Sequence, residues 1–167
     1  MGHVMGQEFG PPIPIMAHPP NTTSDLSLDT WLDIVIARRT GKGVKLDFKS
    51  IETLKPSMKL LESHAQKLNF SLWLNADILS GPINSTTPPL PPDIFLSLCH
   101  QYFPNAVLSL GWTTYWFSTF PPDTWHYKWI HVRKMADIIR CAFDSRYPSI
   151  TFPVRGIFAS RSIEQLQ

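Results

Sequence analysis

Six polar side chains stand where short apolar runs end. His18 closes Pro14-Ile15-Met16-Ala17 and is followed by Pro19-Pro20. Asp47 and Lys49 flank Phe48 at the end of Val44-Lys45-Leu46. Asn75 and Asp77 follow Leu72-Trp73-Leu74, and Arg155 follows Ile150-Thr151-Phe152-Pro153-Val154. An imidazole moves protons near neutral pH. Carboxylates and an amide oxygen are ligands for a hard cation such as Mg²⁺ or Ca²⁺. A lysine or arginine holds an anionic group. Each has a plainer reading beside it. Asp47 and Lys49 could form an interior ion pair, Asn75 and Asp77 could cap a loop, and Arg155 could pair with an interior acid.

Other chemistries find no support. No G-x-S-x-G elbow, P-loop or G-x-G-x-x-G is present. His3, His64, His100, His126 and His131 show neither H-x₃-H nor C-x-x-C spacing, which argues against zinc. Cys99 and Cys141 fall in helical patterns and read as half-buried thiols rather than a disulfide. Three N-x-[ST] sequons, at Asn21, Asn69 and Asn84, lie in turn-like segments where a glycan fits.

The apolar runs have the length and bounding residues of strands. Between them lie helical faces. The first is Leu28, Trp31, Leu32, Val35 and Ile36, with Ser24 or Ser27 as its cap and Arg38-Arg39 then Gly41 as its stop. The others centre on Met58, Leu61, Ala65 and Leu68; on Ile94, Phe95, Leu98 and Tyr102; and on Val132, Met135, Ala136, Ile139 and Phe143. The order β-α-β-α-β-α-β-α-β predicts a parallel sheet with helical crossovers. Alternation puts Lys45, Asp47 and Lys49 on one face of their strand, and Asn75 and Asp77 on one face of theirs. Functional groups of α/β sheets and barrels gather at the C-terminal strand ends. The expectation is that His18, Asp47, Lys49, Asn75, Asp77 and Arg155 converge on one concave face. Two cations and two carboxylates there neutralise one another, which predicts weak or no Mg²⁺ or Ca²⁺ binding by this chain.

Composition excludes several classes. With 15 Lys+Arg against 13 Asp+Glu, scattered along the chain, there is no nucleic-acid footprint. Hydrophobic residues make up 43% of 167, enough for a core. No apolar run is long enough to span a membrane, and the first residues carry no secretory signal pattern.

The blocks Ile13–Pro20, Gly43–Ser50, Trp73–Leu79, Leu108–Thr114 and Thr151–Arg155, in that order, resemble those of the menorin family. The resemblance runs from about residue 13 to 162 and divides the chain into an unmatched segment, 1–12, and an incomplete menorin-like domain, 13–167. It implies an extracellular interaction protein working with cell-surface adhesion proteins or receptors, as in dendrite patterning. The family's domain is similar in turn to the glycerophosphodiester phosphodiesterase barrel. That similarity implies His18 as an acid/base histidine, Asp47 as a metal carboxylate with Asp77 beside it, and Lys49 as a phosphate ligand with Arg155 and Asn75. A first histidine and a Glu-x-Asp pair usual in that fold have no match here. The expectation is therefore a partial (β/α)₈ barrel, strands three to seven of eight, probed best as an interaction module and secondarily as a metal-dependent phosphodiesterase.

Overall fold

A computed structural model describes residues 12–18, 21–39, 41–83, 85, 87–115, 125–143 and 149–167. They form a four-stranded parallel sheet in the order β1-β2-β3-β4: β1 (Val44–Phe48), β2 (Leu72–Ser80), β3 (Val107–Thr113) and β4 (Ile150–Thr151). Helices α1 (Leu28–Arg38), α2 (Ile51–Ser63), α3 (Pro92–Tyr102) and α4 (Trp129–Ala142) alternate with the strands, and short α5 (Gly156–Ala159) and α6 (Ile163–Leu166) follow β4. Strand order equal to chain order, with a helix in each crossover, is the arrangement of a partial (β/α) barrel.

Among the described residues the sheet has four strands where the sequence suggests five. The segment around Pro14–Ala17 stays outside it and makes only an antiparallel bridge, Ile15 to Ser27, with Met16 N–H donating to the Leu26 carbonyl at 2.8 Å. Pro14 lacks a ladder donor, and the backbone of Met16 and Pro14 is instead hydrogen-bonded to Leu26 and Leu28 at the start of α1. His18 therefore ends no strand. Arg155 likewise lies beyond β4, at the residue preceding α5.

Local chemistry sets the helix ends. Ser27 caps α1, its side chain accepting from Thr30 N–H at 3.1 Å, and Ser50 caps α2 through Thr53 N–H at 3.4 Å. α1 stops at Arg39, which takes a left-handed conformation at φ 42°. The stop thus falls on an arginine, two residues before the glycine that the sequence suggests.

The helices cover one face of the sheet. Leu46 and Phe48 of β1, Leu74, Ala76 and Ile78 of β2, and Leu108 and Leu110 of β3 are buried against Leu32, Leu54, Met58, Leu61, Phe95 and Met135. Phe48 meets Phe95 edge-on, with ring centroids 6.0 Å apart. Each large side chain buried so completely contributes about 1.5–3 kcal/mol of transfer free energy. With the apolar alternates committed to that face, the other alternates of the same strands must share the opposite one.

Candidate functional site

The opposite face carries the polar residues in rows fixed by register. Asp47 pairs with Asn75, Asn75 with Ser109, and Ser109 with Thr151. One step on, Asp77 pairs with Gly111. Asn75 and Asp77 sit within β2, which runs on to Ser80, rather than at its end. The shorter β1 stops at Phe48, so Lys49 leaves the strand beside Asp77.

Four of the six expected residues form one network. Lys49 Nζ lies 2.9 Å from Asp47 Oδ2 and 3.3 Å from Asp77 Oδ2. Asn75 Nδ2 donates to Asp47 Oδ1 at 2.6 Å. Burial opposes the charge on Lys49, but the carboxylates of Asp77 and Asp47 outweigh it and hold the ammonium pKa above the usual lysine value. The Asp77 carboxyl is also shifted up. Burial is the main cause; Lys49 and Arg155 oppose it, and the like charge of Asp47 adds to it.

Arg155 joins this group through its charge, which bears on Asp77, while its Nη1 donates to the Tyr115 carbonyl at 3.0 Å. His18 is exposed, and its carbonyl accepts from Asn21 N–H at 3.0 Å. Asn21 and Asn69 are exposed; Asn84 lies outside the described residues.

Three further residues belong to the setting. A Cβ at Gly111 would collide with Asp77 Oδ1 and come within 3.2 Å of Pro153, so only glycine leaves room for that carboxylate. Tyr127 is buried, and its hydroxyl accepts from Arg155 N–H at 3.4 Å; burial chiefly raises its pKa, with Asp77 adding to the rise and Arg155 opposing it. Ser109 Oγ and Asn75 Oδ1 are buried and find no hydrogen-bond partner among the described residues. Sequence alone misses these because their roles arise across strands.

A second cluster lies away from the sheet. Asp29 and Asp33 of α1 and His64, just past α2, bring their ligand atoms within 4.8 Å of one another, the spacing of groups that could hold a metal ion. Spacing along the chain does not reveal it, since its members come from two helices.

Comparison with known proteins matches the Menorin N-terminal domain over residues 2–167, including the stretch before Ile13 where the sequence blocks offer no match. The chain belongs to the menorin family. This menorin-family chain is similar to human Protein FAM151B, 40% identical over 153 residues, which cover 92% of the chain and 52% of the relative. It thus spans about half the length of that relative. No solved structure matches it. Among the described residues, no helix is long and apolar enough to cross a membrane.

Proposed function

We propose that this menorin-family chain contributes the anion-holding part of a phosphodiesterase-type site. The observation that supports it most is Lys49 held between Asp47 and Asp77 on the polar sheet face, with its side chain 18% exposed. An ammonium has three donors. Two face the carboxylates, and the third can meet a phosphoryl oxygen. Arg155 adds positive charge on the same side, and His18 is the candidate for proton transfer through resemblance to the phosphodiesterase barrel.

The divalent cation expected of such enzymes does not fit the interior carboxylates as they stand. Asp47 and Asp77 each turn an oxygen to Lys49, and the other Asp47 oxygen accepts from Asn75. A hard cation needs several free oxygens. Asp47 and Asp77 are therefore assigned to orienting Lys49, and no step is routed through a metal there.

Calorimetry with inorganic phosphate, and 4-nitrophenol release from bis(4-nitrophenyl) phosphate, test this reading. The chain should bind phosphate, and Lys49→Gln should weaken binding about tenfold or more, the loss of a charge-assisted contact of roughly 1.5–3 kcal/mol. Equal binding by a folded Lys49→Gln variant, or no phosphate binding by the parent chain, would overturn it.

A second reading is an extracellular interaction module that meets adhesion proteins or receptors. The exposure of Asn21 and Asn69, each in a sequon, favours it. Peptide mapping of the protein secreted behind a functional leader should find glycan on at least one. Bare asparagines at 21, 69 and 84 would count against it.

A further inference from the structure

We propose that Asp29, Asp33 and His64 form a binding site for a zinc-class divalent metal that fastens α1 to α2. Asp29 and Asp33 are spaced i, i+4 and so lie on one face of α1. His64 is the residue after α2 and is buried, with 8% of its surface exposed, whereas the two aspartate side chains are 58% and 66% exposed. The site is thus a fixed imidazole facing two solvent-accessible carboxylates.

The imidazole's hydrogen bonds decide which nitrogen faces the acids. Nδ1 lies 3.0 Å from the Leu60 carbonyl, which can only accept. The Ser63 hydroxyl donates to that same carbonyl at 2.7 Å, so its single proton is not offered to Nδ1. Nδ1 therefore carries the hydrogen. In the neutral ring this leaves a lone pair on Nε2. Nε2 points at Asp29 Oδ1, 3.3 Å away, and Asp33 Oδ1, 3.4 Å away. Three acceptors converging on one point repel unless a cation lies between them. A backbone carbonyl holding the far nitrogen is also the usual support of a metal-bound histidine.

The distances indicate the kind of cation. Two metal–ligand bonds of about 2.0–2.1 Å at a tetrahedral angle set their donor atoms about 3.3–3.4 Å apart. One nitrogen and two carboxylate oxygens suit zinc, and the nitrogen disfavours Mg²⁺ and Ca²⁺. Three protein ligands leave the fourth position to water. The inference is independent of the interior network, which uses none of these residues.

Calorimetry of the chelator-treated chain with ZnCl₂, with MgCl₂ as control, should give one site for zinc and none for magnesium. CoCl₂ should produce ligand-field bands of a tetrahedral ion that ZnCl₂ abolishes. Asp29→Asn and Asp33→Asn alter exposed side chains and should keep the fold, yet each should weaken zinc binding at least tenfold. Zinc should raise the melting temperature of the parent and not of the double variant. An imidazolium paired with two aspartates is the alternative, and it predicts no stoichiometric zinc binding by the parent. That result, or zinc binding unchanged in the Asp29→Asn/Asp33→Asn double variant, would overturn the proposal.

Discussion

Lys49 is a cation enclosed by its own counterions. Removing its charge leaves Asp47 and Asp77 facing each other. We expect Lys49→Gln to cost about 1–3 kcal/mol at neutral pH, between the limits for exposed and buried pairs, because these side chains are 18–35% exposed. Two pH arms follow from linkage. The folded pKa of Lys49 lies above its ordinary value, so its contribution is complete below about pH 10.5 and is lost as pH rises through the folded value. Asp77 is raised above 3.8, so its cost is absent below that value and complete above the folded pKa. Losing Lys49 removes an interaction that lowers the Asp77 pKa, which enlarges that cost. Denaturant unfolding at several pH values should therefore show the Lys49→Gln deficit shrinking on acidification. A deficit that grows toward low pH would contradict this account. At this scale the sequence was legible where alternation sufficed: Asp47, Lys49, Asn75 and Asp77 do meet. Tyr127 and Ser109 were not, because proximity across the sheet leaves no mark on spacing.

The helices were more legible than the strands. An apolar face repeats over many residues, whereas Pro14–Ala17 has a strand's composition but lacks a donor at Pro14 and gives that of Met16 to Leu26, just ahead of α1. α2 begins at Ile51, ahead of the expected Met58–Leu68 face, because Ser50 caps it and Leu54 carries the buried stripe into the first turn; it ends at Ser63, so Ala65 and Leu68 fall beyond it. The end of α1 yields a further test. Arg39 is exposed and held at φ 42°. A left-handed conformation costs a non-glycine residue about 1–2 kcal/mol, part of which glycine's greater unfolded freedom gives back. Arg39→Gly should raise stability by about 0.5–1 kcal/mol, and thermal melts would measure it. In the core, Phe95→Ala should cost about 3–5 kcal/mol, since Phe95 is fully buried and packs on Phe48.

For the whole molecule, the partial barrel makes solubility the sensitive property. Among the described residues β4 is a two-residue edge strand. Phe152, at 46%, and Val154, at 38%, stay exposed beside it, next to a cavity of about 530 Å³ lined by Trp112, Met135 and Ile139. Open edges with apolar neighbours invite pairing with another chain. The chain expressed alone should associate in a concentration-dependent way on size exclusion, and Val154→Lys should reduce that association. A parent chain that stays monomeric at high concentration and melts cooperatively would show the edge to be harmless.

Gly111 and Asp77 carry a consequence for how such sequences can change over time. The carboxylate occupies the space that any side chain at 111 would need. A replacement at 111 alone pushes on Asp77 beside Lys49, while a replacement of Asp77 by a smaller residue removes the hard collision and leaves only the 3.2 Å approach to Pro153. The two positions should therefore drift as a pair: relatives that keep the aspartate keep the glycine, and those that lose the aspartate tolerate alanine or serine opposite it. Gly111→Ala should accordingly destabilise the parent chain more than it does an Asp77→Ala background, a double-mutant cycle that reads the inherited coupling directly.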